Sequence, residues 1–142
     1  MLYLGEMPDP PFEEVEHTAD WALRVRGSTL PDLFANAARG MYSLLGAERG
    51  GDTPVSHTLQ LEAPDRETLL VEWLSELLYL TESQNETFDA FEVSDLTATH
   101  LEARVTGGPA GPMNKQIKAV TFHDLRIEEA EQGYEVTVVF DV

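Results

Sequence analysis

The fold is decided by the stretch HTADWALRVRGSTLPDLFANAARGMYSLL, residues 17–45, in which a strand pattern leads directly into a helix pattern. Apolar side chains first alternate with polar ones, which is the period of a half-buried strand: Trp21, Leu23 and Val25. They then recur every three to four positions, as on one face of a helix: Leu33, Phe34, Ala37, Ala38, Met41, Leu44 and Leu45. Ser28 or Thr29 is predicted to cap this helix, and Gly46 to end it.

Working outward, the first strand is expected to extend over residues 12–26, interrupted at the turn His17-Thr18-Ala19-Asp20. A second half-buried strand is predicted over residues 55–61, followed by a helix that Asp65 caps. The buried face of that helix is expected to hold six residues: Leu69, Leu70, Trp73, Leu74, Leu77 and Leu78. Strands are predicted near residues 88–93 and 96–105, and the segment TGGPAGPMN, residues 106–114, is predicted to be a loop.

The last third of the chain predicts two strands joined by a hairpin turn at Gly133. The apolar residues occupy even positions at Val120 and Phe122 but odd positions at Leu125 and Ile127. One strand could bury both pairs on the same face only with an extra residue between them, which predicts a bulge at His123-Asp124. Two helices among hairpin-linked strands predict an α+β fold, with the helices packed on one mostly antiparallel or mixed sheet. We expect a single domain over residues 1–142, with residues 1–11 as an irregular extension.

Composition excludes several classes of function. The chain has 142 residues, with 26 acidic against 9 basic side chains and a formal charge of −17. Such a surface repels phosphate backbones, so direct stable binding of nucleic acid is not expected. The absence of cysteine excludes disulfides and thiolate metal sites and suits a cytoplasmic protein. The N-terminal residues do not have the pattern of a signal peptide, and no apolar run has membrane-spanning length.

The side chains that indicate a possible function are carboxylates, which can bind a metal ion. Hard cations such as Ca²⁺ and Mg²⁺ prefer several oxygen ligands from different elements. Asp20 lies at a strand entrance, Asp124 at the predicted bulge, and Asp141 next to the terminal carboxylate of Val142. In so acidic a chain, the alternative interpretation is that these groups are simply solvated.

Other catalytic chemistries find less support. The four histidines, His17, His57, His100 and His123, include no pair four residues apart, so the helical zinc motif is absent. His123, next to Asp124, is expected to be a structural histidine whose imidazole forms hydrogen bonds. His17 is expected to stabilise the turn that carries Asp20. No serine stands in a nucleophile-elbow sequence.

Two segments and the chain end resemble a known family. EHTADWALRVRGSTLPDLFANAARGMYSLL, residues 16–45, resembles the N-terminal signature of the archease family, and IKAVTFHDLRIEE, residues 117–129, resembles its second signature. The closing Phe140-Asp141-Val142 is similar to the family's final aspartate and aliphatic residue. The resemblance spans nearly the whole chain and implies a small α+β protein.

The resemblance also implies an activity and a site. Archease-like proteins assist the GTP-dependent RNA ligase of tRNA splicing and RNA repair, promoting its guanylylation and its repeated turnover. The implied ligands of a divalent cation are Asp20, Asp141 and Val142, with Ca²⁺ expected first and Mg²⁺ or Mn²⁺ as alternatives. His17 and His123 are expected to support the site, Asp124 to lie beside it, and Lys118 to contact the ligase.

Two other functions remain open at this point. The first is a stand-alone metal-dependent phosphate-ester hydrolase that uses Asp20, His123 and Asp124. The second is a chaperone-like acidic binding module, in which the carboxylates stabilise the fold and do nothing else.

Overall fold

A computed structural model of the protein describes residues 10–15 and 20–142. It has two helices, α1 (Leu30–Leu45) and α2 (Arg66–Gln84). The strands of the described part are β1 (Phe12–Val15), β2 (Trp21–Gly27), β3 (Val55–Glu62), β4 (Glu86–Leu96), β5 (His100–Pro109), β6 (Ala119–Val120), β7 (Glu128–Ala130) and β8 (Gly133–Asp141). The predicted α+β class is therefore confirmed.

The strands form two antiparallel sheets. The larger has the order β1-β2-β8-β6, with β7 also paired to β8, and the smaller has the order β3-β5-β4. The expectation of one interrupted strand over residues 12–26 is wrong, because its two halves form a hairpin in which Phe12 is opposite Val25 and Val15 is opposite Ala22. The connecting residues 16–19, which include His17 and Thr18, lie outside the described residues.

The helix boundaries follow the predicted capping residues. The hydroxyl of Thr29 accepts the backbone N–H of Asp32 at 3.2 Å, and the carboxylate of Asp65 accepts that of Thr68 at 2.7 Å. Each bond satisfies a donor that the first helical turn leaves without a partner. Gly46 ends α1 with a φ of 66°, a conformation that glycine adopts without steric cost.

The core lies between the helices and the sheets. All six residues predicted for the buried face of α2 are buried, and so are the seven predicted for α1. The two helices are also joined by a polar contact, because the indole N–H of Trp73 donates to the carbonyl oxygen of Phe34 at 2.9 Å. Neither helix in the described part combines the length and the apolar character that a membrane span requires.

Two segments differ from the sequence prediction. Residues 106–109, predicted to be loop, extend β5 to Pro109. The parity change after Val120 comes from a turn and not from a bulge: the N–H of Leu125 donates to the carbonyl oxygen of Phe122 at 3.1 Å, and Asp124 has a φ of 49°. Because this turn separates β6 from β7, Phe122 does not share the buried position of Val120 and is 57% exposed.

Candidate metal centre

The pairing of β2 with β8 brings the first signature to the end of the chain. Trp21 is opposite Phe140 in this antiparallel pair, and Ala22 is opposite Val139. Asp20 immediately precedes Trp21 and Asp141 immediately follows Phe140, so the two aspartates are the next residues at the same end of two adjoining strands. Side chains on facing positions of such strands are about 5 Å apart at their Cβ atoms. The β2–β8 register therefore predicts that these two aspartates, from opposite ends of the sequence, lie close to each other.

The last strand is held from both sides at this end. Ala119 of β6 is opposite Asp141, and the backbone N–H of Lys118 donates to the carbonyl oxygen of Asp141 at 2.7 Å. The side chain of Val142 is half-buried and packs against the core. Backbone pairing and side-chain packing therefore both position Asp141 and Val142. The side chain of Lys118 is exposed at the same end of the sheet.

Lys115 adds a cation that sequence reasoning did not identify. Its ammonium nitrogen lies 3.0 Å from the centroid of the Trp21 ring, a cation–π contact next to Asp20. Together with Ile117, Leu45 and Leu78, Lys115 also lines a cleft of about 480 Å³. Lys115 follows a loop rich in glycine and proline, and no sequence pattern connects it to Trp21.

His123 and Asp124 lie in the turn that follows β6. The backbone N–H of Thr121 still pairs with the carbonyl oxygen of Val139 at 3.0 Å, but the chain then leaves the ladder. His123 Nε2 and Asp124 Oδ2 are 3.2 Å apart, and both side chains are exposed. The expectation that Asp124 lies beside the chain-end carboxylates stays a prediction.

The chain-end carboxylates form an oxygen-only donor set. Asp20 is half-buried and Asp141 is exposed, and with the terminal carboxylate of Val142 they are the three predicted ligands. Such a set suits Ca²⁺, Mg²⁺ or Mn²⁺ and disfavours metals that select nitrogen or sulfur. The donor chemistry fits a hard cation, and coordination by these three residues stays a prediction.

Comparison with known proteins identifies the family. The family model described as the Archease protein family (MTH1598/TM1083) matches residues 12–142. The chain belongs to the archease family. The archease of Methanosarcina barkeri is 35% identical over 141 residues, covering 92% of this chain and 95% of that protein. The archease of Archaeoglobus fulgidus is 34% identical over 134 residues, covering 90% and 96%.

Solved archease-like structures have the same fold. The solution structure of Methanobacterium thermoautotrophicum protein 1598 has a TM-score of 0.65 and 25% identity, covering 93% of this chain and 99% of that one. A crystal structure from Thermotoga maritima, described as an archease and possible chaperone, has a TM-score of 0.69 and covers 96% and 98%. Its identity is 22%, so this second likeness supports the fold alone.

Proposed function

We propose that this member of the archease family is a non-catalytic activator of the RNA ligase that joins 3′-phosphate and 5′-hydroxyl ends in tRNA splicing and RNA repair. It promotes guanylylation of the ligase and allows repeated turnover in the cytoplasm. The observation that supports the proposal is the β2–β8 register in a chain of this family, in which the aspartate of the first signature precedes Trp21 and the last aspartate follows the facing Phe140.

The proposed site holds one divalent cation through Asp20, Asp141 and the terminal carboxylate of Val142. When bound, the cation supplies positive charge that neutralises phosphate oxygens of the ligase's nucleotide. The chain's own contribution is positional, because β2 and β6 fix the end of β8 from both sides. Lys118 presents a further exposed cation at this end, which suits contact with a nucleotide phosphate or with the ligase.

The charge of the chain suits the proposed partner. A formal charge of −17 disfavours stable binding to RNA itself but favours docking beside a basic RNA-binding channel. Complementary charge raises the association rate more than the final affinity. We therefore expect stimulation of the ligase to weaken as salt concentration rises, through slower association.

A guanylylation and multiple-turnover assay with the ligase of the same organism tests the proposal. Asp141→Asn keeps the backbone pairing of β8 but removes one anionic ligand. We expect stimulation to fall at least about tenfold, as for loss of groups that support a bound metal. The matched control is Glu129→Gln, which removes one negative charge from exposed β7 of the same sheet and should stimulate like wild type.

Three outcomes contradict the proposal or one of its parts. Full stimulation by both Asp20→Asn and Asp141→Asn would show that the metal mechanism is wrong. Parallel loss of thermal stability and stimulation in these variants would favour the chaperone-like module, in which the carboxylates serve the fold. Turnover of phosphate esters by the purified chain alone, without any effect on the ligase, would favour the hydrolase.

A further inference from the structure

A second group of metal-ligating side chains lies on the smaller sheet, far along the chain from either signature. Asp95, His100 and Glu102, named here the hairpin cluster, are at the turn between β4 and β5. One ligand atom from each lies within 4.8 Å of the other two, and His100 Nε2 is 3.6 Å from Asp95 Oδ2. Ligand atoms that bind one metal ion lie about 2.0–2.2 Å from it, so any two of them are no more than about 4.4 Å apart. The separations in the hairpin cluster are therefore close to those of a metal site.

A strand irregularity puts Asp95 in the cluster. Val93 is opposite Ala103 and Asp95 is opposite Glu102, so Ser94 is an extra residue in β4. In a regular ladder Ser94 would face Glu102, and Asp95 would face Leu101, which is fully buried. The bulge therefore moves the Asp95 carboxylate from the core side to the side of Glu102.

The turn itself fixes the position of His100. The backbone N–H of Thr97 donates to the carbonyl oxygen of His100 at 2.9 Å. In return, the N–H of His100 donates to the hydroxyl oxygen of Thr97 at 3.1 Å. These reciprocal bonds close the hairpin and fix the backbone that carries the imidazole, which lowers the cost of ordering the site on binding.

The hairpin cluster lies on the outer face of the smaller sheet. Leu101 and Ala103 point into the core, so the alternating residues His100 and Glu102 lie on the opposite face of the sheet. Within the described residues, no lysine or arginine forms a salt bridge with Asp95 or Glu102. The nearby Arg104 donates instead to the hydroxyl of Ser56 at 3.0 Å. Among the described residues, His100 is therefore the one basic side chain grouped with these two carboxylates.

We propose that the hairpin cluster binds one divalent transition-metal ion through an imidazole nitrogen and two carboxylate oxygens, with its remaining positions open to water. A mixed nitrogen and oxygen donor set suits Zn²⁺, Co²⁺ or Ni²⁺, whereas the oxygen-only chain end suits Ca²⁺ or Mg²⁺. The two sites lie on different sheets and share no residue. This inference therefore does not rest on the proposed ligase function.

The experiment titrates Co²⁺ into the metal-free full-length chain in the presence of excess Ca²⁺, which occupies the chain-end carboxylates. Calorimetry and the visible absorption of Co²⁺ report binding. Wild type is expected to bind one equivalent, and His100→Asn to bind at least about tenfold more weakly, because a ligand is lost. Glu102→Gln is a second variant that nearly preserves side-chain size, and circular dichroism checks that each variant is folded.

The matched control is Glu92→Gln, which removes a negative charge from the same face of β4, opposite Arg104, without touching the cluster. It should bind Co²⁺ within about twofold of wild type, because an exposed charge contributes little. Asp141→Asn should also leave Co²⁺ affinity unchanged. Unaltered affinity in both His100→Asn and Glu102→Gln, or an equal loss in Glu92→Gln, would overturn the proposal and indicate adsorption to a generally acidic surface.

Discussion

The hydroxyl of Tyr42 joins the two helices inside the core. It lies 2.7 Å from the hydroxyl of Thr81 and donates to the carbonyl oxygen of Leu77 at 3.2 Å. Tyr42 is 5% exposed, and its ring stacks on Phe91 with centroids 5.9 Å apart. Tyr42→Phe keeps the ring and removes the hydroxyl alone, so its effect measures this polar contact.

At neutral pH we expect Tyr42→Phe to destabilise the protein by about 1 kcal/mol, the usual net contribution of a buried hydrogen bond. The loss should not be larger, because Thr81 can rotate its hydroxyl toward the carbonyl oxygen four residues earlier, that of Leu77. The melting temperature should fall by about 2–4 °C.

The same hydroxyl makes stability depend on alkaline pH. Burial raises the pKa of Tyr42 well above its ordinary value of 10.0, because a phenolate in the core loses its hydration, and the bond from Thr81 opposes this effect more weakly. A raised pKa in the folded state contributes stability below the unfolded pKa and loses it as pH rises above that value. The loss is about 1.4 kcal/mol for each pH unit above 10. It should cancel the contribution of the hydroxyl near pH 11.

The assay is urea unfolding of wild type and Tyr42→Phe at pH 7.5, 10 and 11, followed by circular dichroism. Wild type should be the more stable protein at pH 7.5 and should lose its advantage at pH 11. Tyr79→Phe is the control at pH 7.5, where a ring that is 61% exposed should change stability by less than about 0.5 kcal/mol. An unchanged difference between wild type and Tyr42→Phe from pH 7.5 to 11 would refute the reasoning.

Three further predictions concern a close backbone contact, a helix cap and the chain end. Gly107→Ala should destabilise the protein by about 3 kcal/mol in urea unfolding, because the added Cβ would overlap the carbonyl oxygen of Thr87; a loss below about 1 kcal/mol would contradict this contact. The N–H of Thr68 lowers the pKa of Asp65, so this cap stabilises above the unfolded pKa and is lost as pH falls through the folded pKa. Asp65→Asn still caps the helix, so its melting temperature should match that of wild type near pH 7 and should fall less as the pH is lowered. Identical dependence of the two melting temperatures on pH would contradict this role of Asp65. Residues appended after Val142 should weaken Ca²⁺ affinity in calorimetry, whereas the same residues before Met1 should not; equal affinities would exclude the terminal carboxylate as a ligand.

The sequence predicted which residues form the candidate site, but not all of the contacts around them. Asp20, Asp141 and Val142 follow from the resemblance of two segments and the chain end to one family. Asp124 lies in a turn after Thr121, which the sequence predicted as a bulge, and its place beside these residues stays a prediction. Lys115, in contact with Trp21, had no sequence signal, because its contact depends on the course of an irregular loop.

By itself, the sequence determined the two helices, the cap at Asp65, the α+β class, and a choice between Ser28 and Thr29 for the other cap, which the structure decides for Thr29. These features are predictable because a capping hydrogen bond and the period of a helix each involve residues that are only a few positions apart in the sequence. The tertiary structure alone decided that residues 12–26 form a hairpin, that Ser94 shifts Asp95 to the outer face, and that β2 pairs with β8. Strand pairing joins residues that are distant in sequence, and many registers satisfy the same alternation, so packing of the whole core selects one of them.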